Sequence, residues 1–318
     1  MEFKNHIEYL ESESNKTKKF LVYKENYLEF IKDNWFSFNK NGYSKLTPYK
    51  FQENIIKEIQ KNKTVDVIAH SRQMGISGLL CAYIACYLIM NSEKNVVIMS
   101  YNLESSINLL NKVKLILNSY VLNGIFDLNN DLIIDNKKTL CLKNGCRVSA
   151  MPANCTSLKG RNTDLLFIDN AAFIKNLDDI LNLSIPTMSC RQETKILISS
   201  TPFDESYFNK IALDLKEYPR DDSTISNIPW DLHPERNLLW FNNESKRLGY
   251  RQNYIDSELN CIIKYKQKSN KDKTISLRLP FDLHQKIKLK IGEEKSLSDY
   301  IRNLIDNDLA DPLKTTII

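Results

Sequence analysis

The stretch TVDVIAHSRQMGISGLLCAYIACYLIM, residues 64–90, decides the fold of this chain. It begins with a short β-rich run, passes through a turn that contains Gly75, and continues into an apolar run of helical length. In such a layout the amides of the turn and the N-terminus of the helix can bind phosphate groups. The common phosphate-loop pattern G-x-x-x-x-G-K-[ST] requires a lysine where this chain has Ile76. The stretch therefore predicts a strand, a phosphate-binding turn and a helix, with an aliphatic residue at the lysine position.

Further β-rich and helical segments follow this stretch in alternation. Short strands are predicted at 96–100, 164–169 and 195–200, and residues 131–151 indicate a hairpin that turns at Lys143-Asn144-Gly145. A helix of about fifteen residues separates the first two strands, and another is predicted at 103–119. This alternation is typical of a doubly wound α/β fold with a largely parallel sheet.

Aromatic residues indicate helices on both sides of this core. Near the N-terminus the helical spacing of Phe20, Tyr23, Tyr27, Phe30 and Ile31 predicts one or two amphipathic helices within the first fifty residues. After the last strand, residues 228–260 are predicted to return to helix, with the following side chains packed inside: Trp230, Trp240 and Tyr254.

Composition is that of a globular protein, with 42% hydrophobic and 26% charged residues in 318. The apolar run 79–90 is too short to cross a bilayer, so we expect a buried helix and no membrane association. Seven scattered cysteines favour a reducing compartment over a disulfide framework. The net charge is +5, and residues 264–290 hold nine Lys or Arg against two acidic residues. That block suits a phosphate-binding surface, although a solvated lysine-rich linker is the alternative.

Motifs in the expected order make the chain resemble the ATPase domain of the large terminase subunits of tailed phages. SRQMGIS resembles the family's phosphate loop, LTPYKFQENII its glutamine motif, LLFIDNAAFI its Walker B segment, and SSTP its coupling motif. SLKGRNTD resembles the stretch before Walker B, while WDLHPERN and RQNYIDSE resemble the helices that close the domain. The similarity covers roughly residues 46–262. It implies a P-loop NTPase of the terminase or RecA-like type, a parallel sheet flanked by helices.

The resemblance also implies roles for single residues. Gln52 would contact adenine, Arg72 would match a cis-acting arginine finger, Ser77 and Asp169 would hold Mg²⁺, and residues 199–201 would sense the γ-phosphate. The cofactor-binding set would comprise the glutamine, the phosphate loop and the coupling motif: Gln52, Ser71, Gly75, Ile76, Ser77, Ser199 and Thr201. Each of these residues also has an interpretation without a role in nucleotide binding. Gln52 would then be an exposed helix residue, Arg72 a surface charge, and residues 199–201 an ordinary strand end.

Two departures from the family pattern point to a degenerate ATPase. Ile76 offers neither charge nor hydrogen bond to the phosphates. Asn170 stands where the family has a glutamate that orients the attacking water, and an amide cannot take up a proton near neutral pH. ATP and Mg²⁺ are therefore expected to bind only weakly, and the sequence establishes neither as a cofactor. Three residues are candidate substitutes: His70, which should be mostly neutral, and the acids Asp164 and Glu205.

The C-terminal part resembles a ribbon-helix-helix module. Only 56 residues follow Ile262, too few for the nuclease of a full-length large terminase. Residues 274–280 alternate like a strand, and two helices are predicted after it, the second beginning at Ser296-x-x-Asp299. In that fold two copies pair their strands in the major groove of DNA. The expected DNA-binding residues are Lys271, Lys273, Thr274, Ser276, Arg278, Ser296 and Ser298. A terminal helical hairpin docked on the ATPase core is the alternative.

The expected organisation is a helical segment 1–45, a terminase-like domain 46–262, a basic linker 263–273 and a DNA-binding module 274–310. This favours a pseudo-ATPase of a phage or phage satellite, located in the cytoplasm of a bacterial host, that modulates DNA packaging as an adaptor or inhibitor. Its expected partners are double-stranded DNA, a second copy through the C-terminal module, and a large terminase subunit or portal. The alternatives are a divergent active packaging ATPase that lacks the nuclease, and a transcriptional repressor with a terminase-derived body.

Overall fold

A computed structural model describes residues 21–39, 42–61, 63–122, 131–189 and 194–265. The chain divides after Gln267, and all features below belong to the part before that point. The proposed ribbon-helix-helix module, with all seven expected DNA-binding residues, lies outside the described residues.

The centre of the fold is an eight-stranded sheet in the described part of the chain, ordered β10-β3-β9-β8-β4-β7-β6-β5. The strands from β10 to β7 in this order run parallel, while β6 pairs antiparallel with both β7 and β5. The bounds are β3 Val65–His70, β4 Asn95–Ser100, β5 Leu132–Asp135, β6 Thr139–Leu142, β7 Arg147–Pro152, β8 Leu165–Asp169, β9 Lys195–Ser200 and β10 Ser223–Ile228.

Helices cover both faces of this sheet. They are α1 Tyr27–Asn34, α2 Lys50–Ile59, α3 Ile76–Met90, α4 Leu103–Leu122, α5 Leu177–Ser189, α6 Tyr207–Glu217, α7 Leu238–Arg247 and the short α8 Gln252–Tyr254. Alternate residues of the strands face opposite sides, so that Ile68 joins the buried cluster formed with α1 to α4. Its neighbours Val67 and Ala69 join the second cluster, formed with α5 and α6. The doubly wound, largely parallel α/β sheet predicted from the sequence is confirmed.

Most predicted core elements coincide with observed ones to within a few residues. The apolar run 79–90 lies in α3 and is almost wholly buried, as expected, while α4 continues three residues past its predicted end. The turn at Lys143-Asn144-Gly145 joins β6 to β7, and Gly145 has a φ of 83° that favours glycine. Among the described residues no helix is long and apolar enough to cross a membrane. The side chains of five cysteines are described, and all five are free and buried: Cys81, Cys86, Cys141, Cys146 and Cys261.

The N-terminal and C-terminal flanks differ from the prediction. Tyr23, Tyr27, Phe30 and Ile31 are buried as expected, but the helix ends at Asn34 and a hairpin follows, β1 Phe36–Asn39 and β2 Gly42–Lys45. Residues 228–260 form short turns and helices rather than a continuous helix, and Tyr254 is exposed. These segments have too few buried residues in helical register to sustain one long helix.

An edge strand, β10, is absent from the sequence prediction. Its sequence STISNI is mostly polar and lacks the alternation of a half-buried strand, and in the sheet it pairs with β3 from Val65 to His70. Thr224 Oγ1 donates to Asp66 Oδ1 at 2.6 Å, and Lys195 on β9 forms an ion pair with the same carboxylate at 3.3 Å. Tertiary contacts therefore stabilise a strand that its own composition only weakly specifies.

Candidate functional site

The predicted site lies where three neighbouring parallel strands end. The phosphate loop, residues 70–77, follows β3, Asp169 ends β8, and Ser199 and Ser200 end β9 between them. The register places Asp169 beside Ser199, and Ala69 beside Ser200. Ligands bind at this carboxyl edge in open α/β sheets. The sheet thus brings together residues that are far apart in the chain.

Side chains hold the phosphate loop in place by hydrogen bonds to its carbonyl groups. His70 Nδ1 donates to the carbonyl of Ser71 at 2.8 Å, and Gln52 Nε2 donates to that of Met74 at 3.0 Å. Arg236 Nη2 donates to the carbonyls of Arg72 and Gln73, at 3.1 and 2.7 Å. The amides of residues 73–75 have no acceptor in the described part of the chain. A loop whose carbonyls are engaged by side chains while several of its amides are free is arranged to bind an anion.

Asp169 accepts hydrogen bonds from two serine hydroxyl groups of the site. Ser77 Oγ lies 3.1 and 3.0 Å from its two carboxylate oxygens, and Ser199 Oγ donates to Oδ1 at 2.7 Å. Asp169 is only 4% exposed. A hydroxyl and a carboxylate are the oxygen ligands that P-loop proteins give to Mg²⁺, so Ser77 and Asp169 fit the ion predicted for them. No group of three or more His, Cys, Asp or Glu that could hold a metal occurs in the described part of the chain.

The two departures from the family pattern have distinct environments. Ile76 is the first residue of α3 and is 1% exposed. It belongs to the hydrophobic cluster that includes most of this helix, so its side chain contributes to the core. Asn170 has φ 54° and ψ 39°, a left-handed conformation that asparagine adopts more readily than glutamate. The buried surroundings of Ile76 and the left-handed backbone of Asn170 therefore suit the residues that this chain carries.

Gln52 lies within the site, but its amide is already engaged. Its Nε2 donates to Met74 as described, and its Oε1 accepts from the amide of Tyr49 at 3.0 Å. It is 3% exposed, which excludes the exposed-helix interpretation. A Cβ atom on Gly75 would lie 2.8 Å from Gln52 Nε2, so the glutamine and the glycine fit against each other. The contact observed for Gln52 is with the loop; its contact with adenine remains a prediction.

The candidate substitutes for the missing groups are poorly suited. Burial is the largest effect on His70 and lowers its pKa, which keeps the ring neutral, although the Ser71 carbonyl and Asp169 oppose this. Asp164 precedes β8, at the edge opposite Asp169, and its carboxylate accepts from the amide of Asn95 at 2.7 Å. Glu205 follows β9 on the correct edge but makes no hydrogen bond or ion pair with the site residues described.

Two residues that the sequence reasoning missed contact the phosphate loop. Arg236 packs its guanidinium 4.1 Å from the ring centre of Trp240, besides holding the loop carbonyls. Glu258 accepts through its carbonyl from Ser71 Oγ at 2.9 Å and from the amide of Arg72 at 2.8 Å. Burial raises the pKa of its carboxyl group, and the charge of Arg72 opposes this rise. Arg236 lies in WDLHPERN and Glu258 in RQNYIDSE, the two segments that resemble the family's closing helices. That resemblance gave neither residue a role at the site, because both segments reach the loop only in the folded chain.

Comparisons with known proteins agree with this geometry. The family model described as terminase large subunit, T4likevirus-type, N-terminal, matches residues 67–233, more than half of the chain. The large terminase of bacteriophage HK97 superposes with a TM-score of 0.58 at 12% identity, over 74% of this chain and 54% of that one. An arginine-to-alanine mutant of the Thermus phage P74-26 large terminase ATPase domain gives 0.54 at 18% identity, over 67% and 93%.

A third structure, the large terminase of another thermophilic bacteriophage, gives a TM-score of 0.53 at 12% identity, over 68% of this chain and 54% of that one. This chain therefore spans about half the length of the HK97 protein and of this third protein. At these identities the structural matches show the fold.

Proposed function

The chain belongs to the family of large terminase subunits through its N-terminal, T4likevirus-type domain, and from this premise we propose that it is a terminase-like pseudo-ATPase that modulates phage DNA packaging. The observation that carries the proposal is a phosphate loop with free amides that lacks the cation and the base of a motor. Ile76 is buried in the core, and the residue after Asp169 is an asparagine. Loss of a positioned base alone costs about 10²- to 10⁴-fold in rate. The expected turnover is close to background.

The site is expected to retain weak binding of a nucleotide with Mg²⁺. The amides of residues 73–75 and the N-terminus of α3 supply donors to a phosphate group. Ser77 and Asp169 supply the oxygen ligands for the ion, with Ser199 hydrogen-bonded to the same carboxylate. With no lysine at position 76, the β and γ phosphates would lack the positive charge that this lysine usually supplies.

The protein then acts through what it binds, in the cytoplasm of an infected bacterial cell. The proposed partners are double-stranded DNA, bound by a ribbon-helix-helix homodimer, and a large terminase subunit or portal of a packaging motor. A subunit that enters a motor ring without hydrolysing ATP would inhibit it, whereas one that only marks DNA would act as an adaptor. The basic sequence from 264 to 290 supports the DNA contact.

Steady-state ATP hydrolysis by the full-length protein, with and without duplex DNA, tests the proposal. We expect phosphate release from the wild type to equal that from an Asp169→Ala variant in both conditions. Brisk hydrolysis that DNA stimulates and Asp169→Ala abolishes would instead identify a divergent active packaging ATPase.

A capture experiment addresses the partner. Retention of an intact large terminase subunit by the immobilised full-length chain supports modulation of a motor. Sequence-specific DNA binding without any such retention would favour the transcriptional repressor.

A further inference from the structure

A polar cavity of about 240 Å³ lies around the first residues of β4 and β7. The candidate nucleotide site, by contrast, lies where β3, β8 and β9 end. The residues that line the cavity include five polar ones: Asn95, Arg147, Ser149, Arg161 and Asn162. None of the five belongs to the phosphate loop or contacts Asp169.

The pairing of the strands explains why these side chains meet. β4 and β7 run parallel, with Asn95 beside Arg147 and Val97 beside Ser149. Val97 belongs to the second buried cluster, and alternate residues of a strand share a face, so both pairs lie on the side of that cluster. Arg161 comes from the segment just before β8, the other neighbour of β4 in the sheet. Two guanidinium groups from distant parts of the chain therefore line one cavity.

Both guanidinium groups lack a counter-ion. Neither Arg147 nor Arg161 forms a side-chain hydrogen bond or an ion pair with any residue that the structure describes. Asp164 lies nearby, since its carboxylate accepts from the amide of Asn95 at 2.7 Å, but it pairs with neither arginine. Two positive charges that line one cavity repel each other, and an anion between them would offset that repulsion.

Ser149 supplies an independent indication of a ligand. It is only 6% exposed, yet its hydroxyl forms no hydrogen bond within the described ranges. The side-chain amide of Asn95 has no hydrogen bond there either. Buried polar groups normally have a partner. An anion with several oxygen atoms could accept from the hydroxyl, the amide and both guanidinium groups at once.

We propose that this cavity binds a phosphate monoester group, at a second site that does not depend on the function proposed above. The planar fork of arginine matches the oxygen atoms of phosphate. A phosphate monoester carries about two negative charges at neutral pH, as many as the two guanidinium groups can offset. A carboxylate or a DNA phosphodiester carries only one. The volume is below the roughly 300–1,000 Å³ of small-molecule pockets, so it suits the phosphate end of a ligand rather than a whole nucleotide.

Calorimetric titration of the full-length protein with inorganic phosphate, near neutral pH, tests this site. Arg147→Met and Arg161→Met should each weaken binding by about 10-fold or more, because each removes charged hydrogen bonds. Arg220→Met is the matched control, since it removes an exposed guanidinium just before β10, the strand at one edge of the sheet. It should leave the affinity nearly unchanged. Phosphate held by the phosphate loop would respond to none of these three changes.

Ser149→Ala tests the cavity without a change of charge. It should weaken phosphate binding by about 3-fold, because it removes one neutral hydrogen bond. The proposal is overturned if the wild type binds no phosphate, or if both arginine variants bind it as tightly as the wild type. An unchanged affinity in Ser149→Ala would contradict binding inside the cavity.

Competition against inorganic phosphate identifies where the phosphate group comes from. A short DNA duplex with 5′-phosphate ends is compared with the same duplex with 5′-hydroxyl ends. Stronger displacement by the phosphorylated duplex, lost in Arg161→Met, identifies the end of a DNA strand as the ligand. Equal displacement identifies a small phosphorylated compound. Both results uphold the phosphate site and differ only in its source.

Discussion

Buried polar residues of the candidate site are hydrogen-bonded mainly to one another. Ser77 and Ser199 both reach Asp169, and Gln52 joins Tyr49 to Met74. Removing one member of such a set leaves its buried partner unsatisfied, at a cost of about 1–3 kcal/mol. These side chains thus stabilise the folded chain whether or not it binds a nucleotide.

Gly75 offers the sharpest prediction at this scale. Gly75→Ala would place a Cβ 2.8 Å from Gln52 Nε2 on a backbone with φ 72°, whereas Gly160→Ala has a similar φ of 70° and open space around it. Both variants carry left-handed strain of about 1–2 kcal/mol. Gly75→Ala should be less stable than Gly160→Ala by about 1 kcal/mol or more, because Gln52 must move. Urea unfolding of the two variants measures this difference in stability. Equal unfolding midpoints would show that the Gln52 side chain moves aside at no cost.

Ile76 leads to a second prediction. Ile76→Lys introduces an amine where the native side chain is 1% exposed, and an unpaired buried charge costs roughly 3 kcal/mol. Ile76→Val should cost only about 1 kcal/mol. We expect Ile76→Lys to lower the melting temperature well beyond Ile76→Val, and to leave ATP hydrolysis at background because Asn170 remains. An Ile76→Lys protein as stable as Ile76→Val would show that the new side chain reaches solvent or phosphate.

Sequence alone anticipated part of this site, for a physical reason. The segments containing Ser77, Asp169 and Ser199 each follow or end a β-rich run, and the carboxyl ends of parallel strands share one edge. Glu258 and Arg236 escaped prediction because their contacts depend on how irregular segments fold back over the loop. The hydrogen bonds of the Gln52 side chain could not be predicted either, since a motif assigns a residue to a site but does not specify its hydrogen-bond partners.

Among the structural elements, the segment from β10 to α8 restrains the phosphate loop. Arg236→Met should remove two charged hydrogen bonds to the loop carbonyls and the contact with Trp240. We expect hydrogen exchange of the Arg72 amide, which donates to the Glu258 carbonyl, to accelerate on the order of 10-fold, because hydrogen bonds to charged groups contribute more than neutral ones. Lys246→Met is the matched control, since it removes an exposed charge from the neighbouring helix α7. Unchanged exchange in Arg236→Met would contradict the restraint.

Elements with continuous apolar runs were predicted well, and those that depend on neighbours were not. The helix α3 and the strands β4, β8 and β9 have continuous apolar runs that specify them locally. The polar edge strand β10 relies on its register with β3 and on the Asp66 contacts. The helical pattern that ends at Ile31 predicted α1 correctly, but the hairpin β1–β2 that follows it was not predicted within the helical segment 1–45.

For the whole molecule, the main prediction concerns DNA. Arg278→Ala in the full-length protein should weaken binding to duplex DNA by about 1–3 kcal/mol if this side chain reads a base edge. Lys246→Ala, which removes an exposed charge on α7, should change the affinity little. Gel shifts at several salt concentrations measure both, and log affinity should fall linearly with log salt. Indifference to Arg278→Ala would favour the docked helical hairpin over a ribbon-helix-helix module.

The outward-facing hydrogen bonds of the phosphate loop have a consequence for how such a protein can change over time. Replacing Gln52 or Arg236 would loosen the loop even if no nucleotide ever bound there. Selection for a stable fold alone would therefore preserve these residues after selection for hydrolysis had ended. The residues that only the reaction requires, by contrast, would be free to drift, and positions 76 and 170 are the two that differ from the motor pattern.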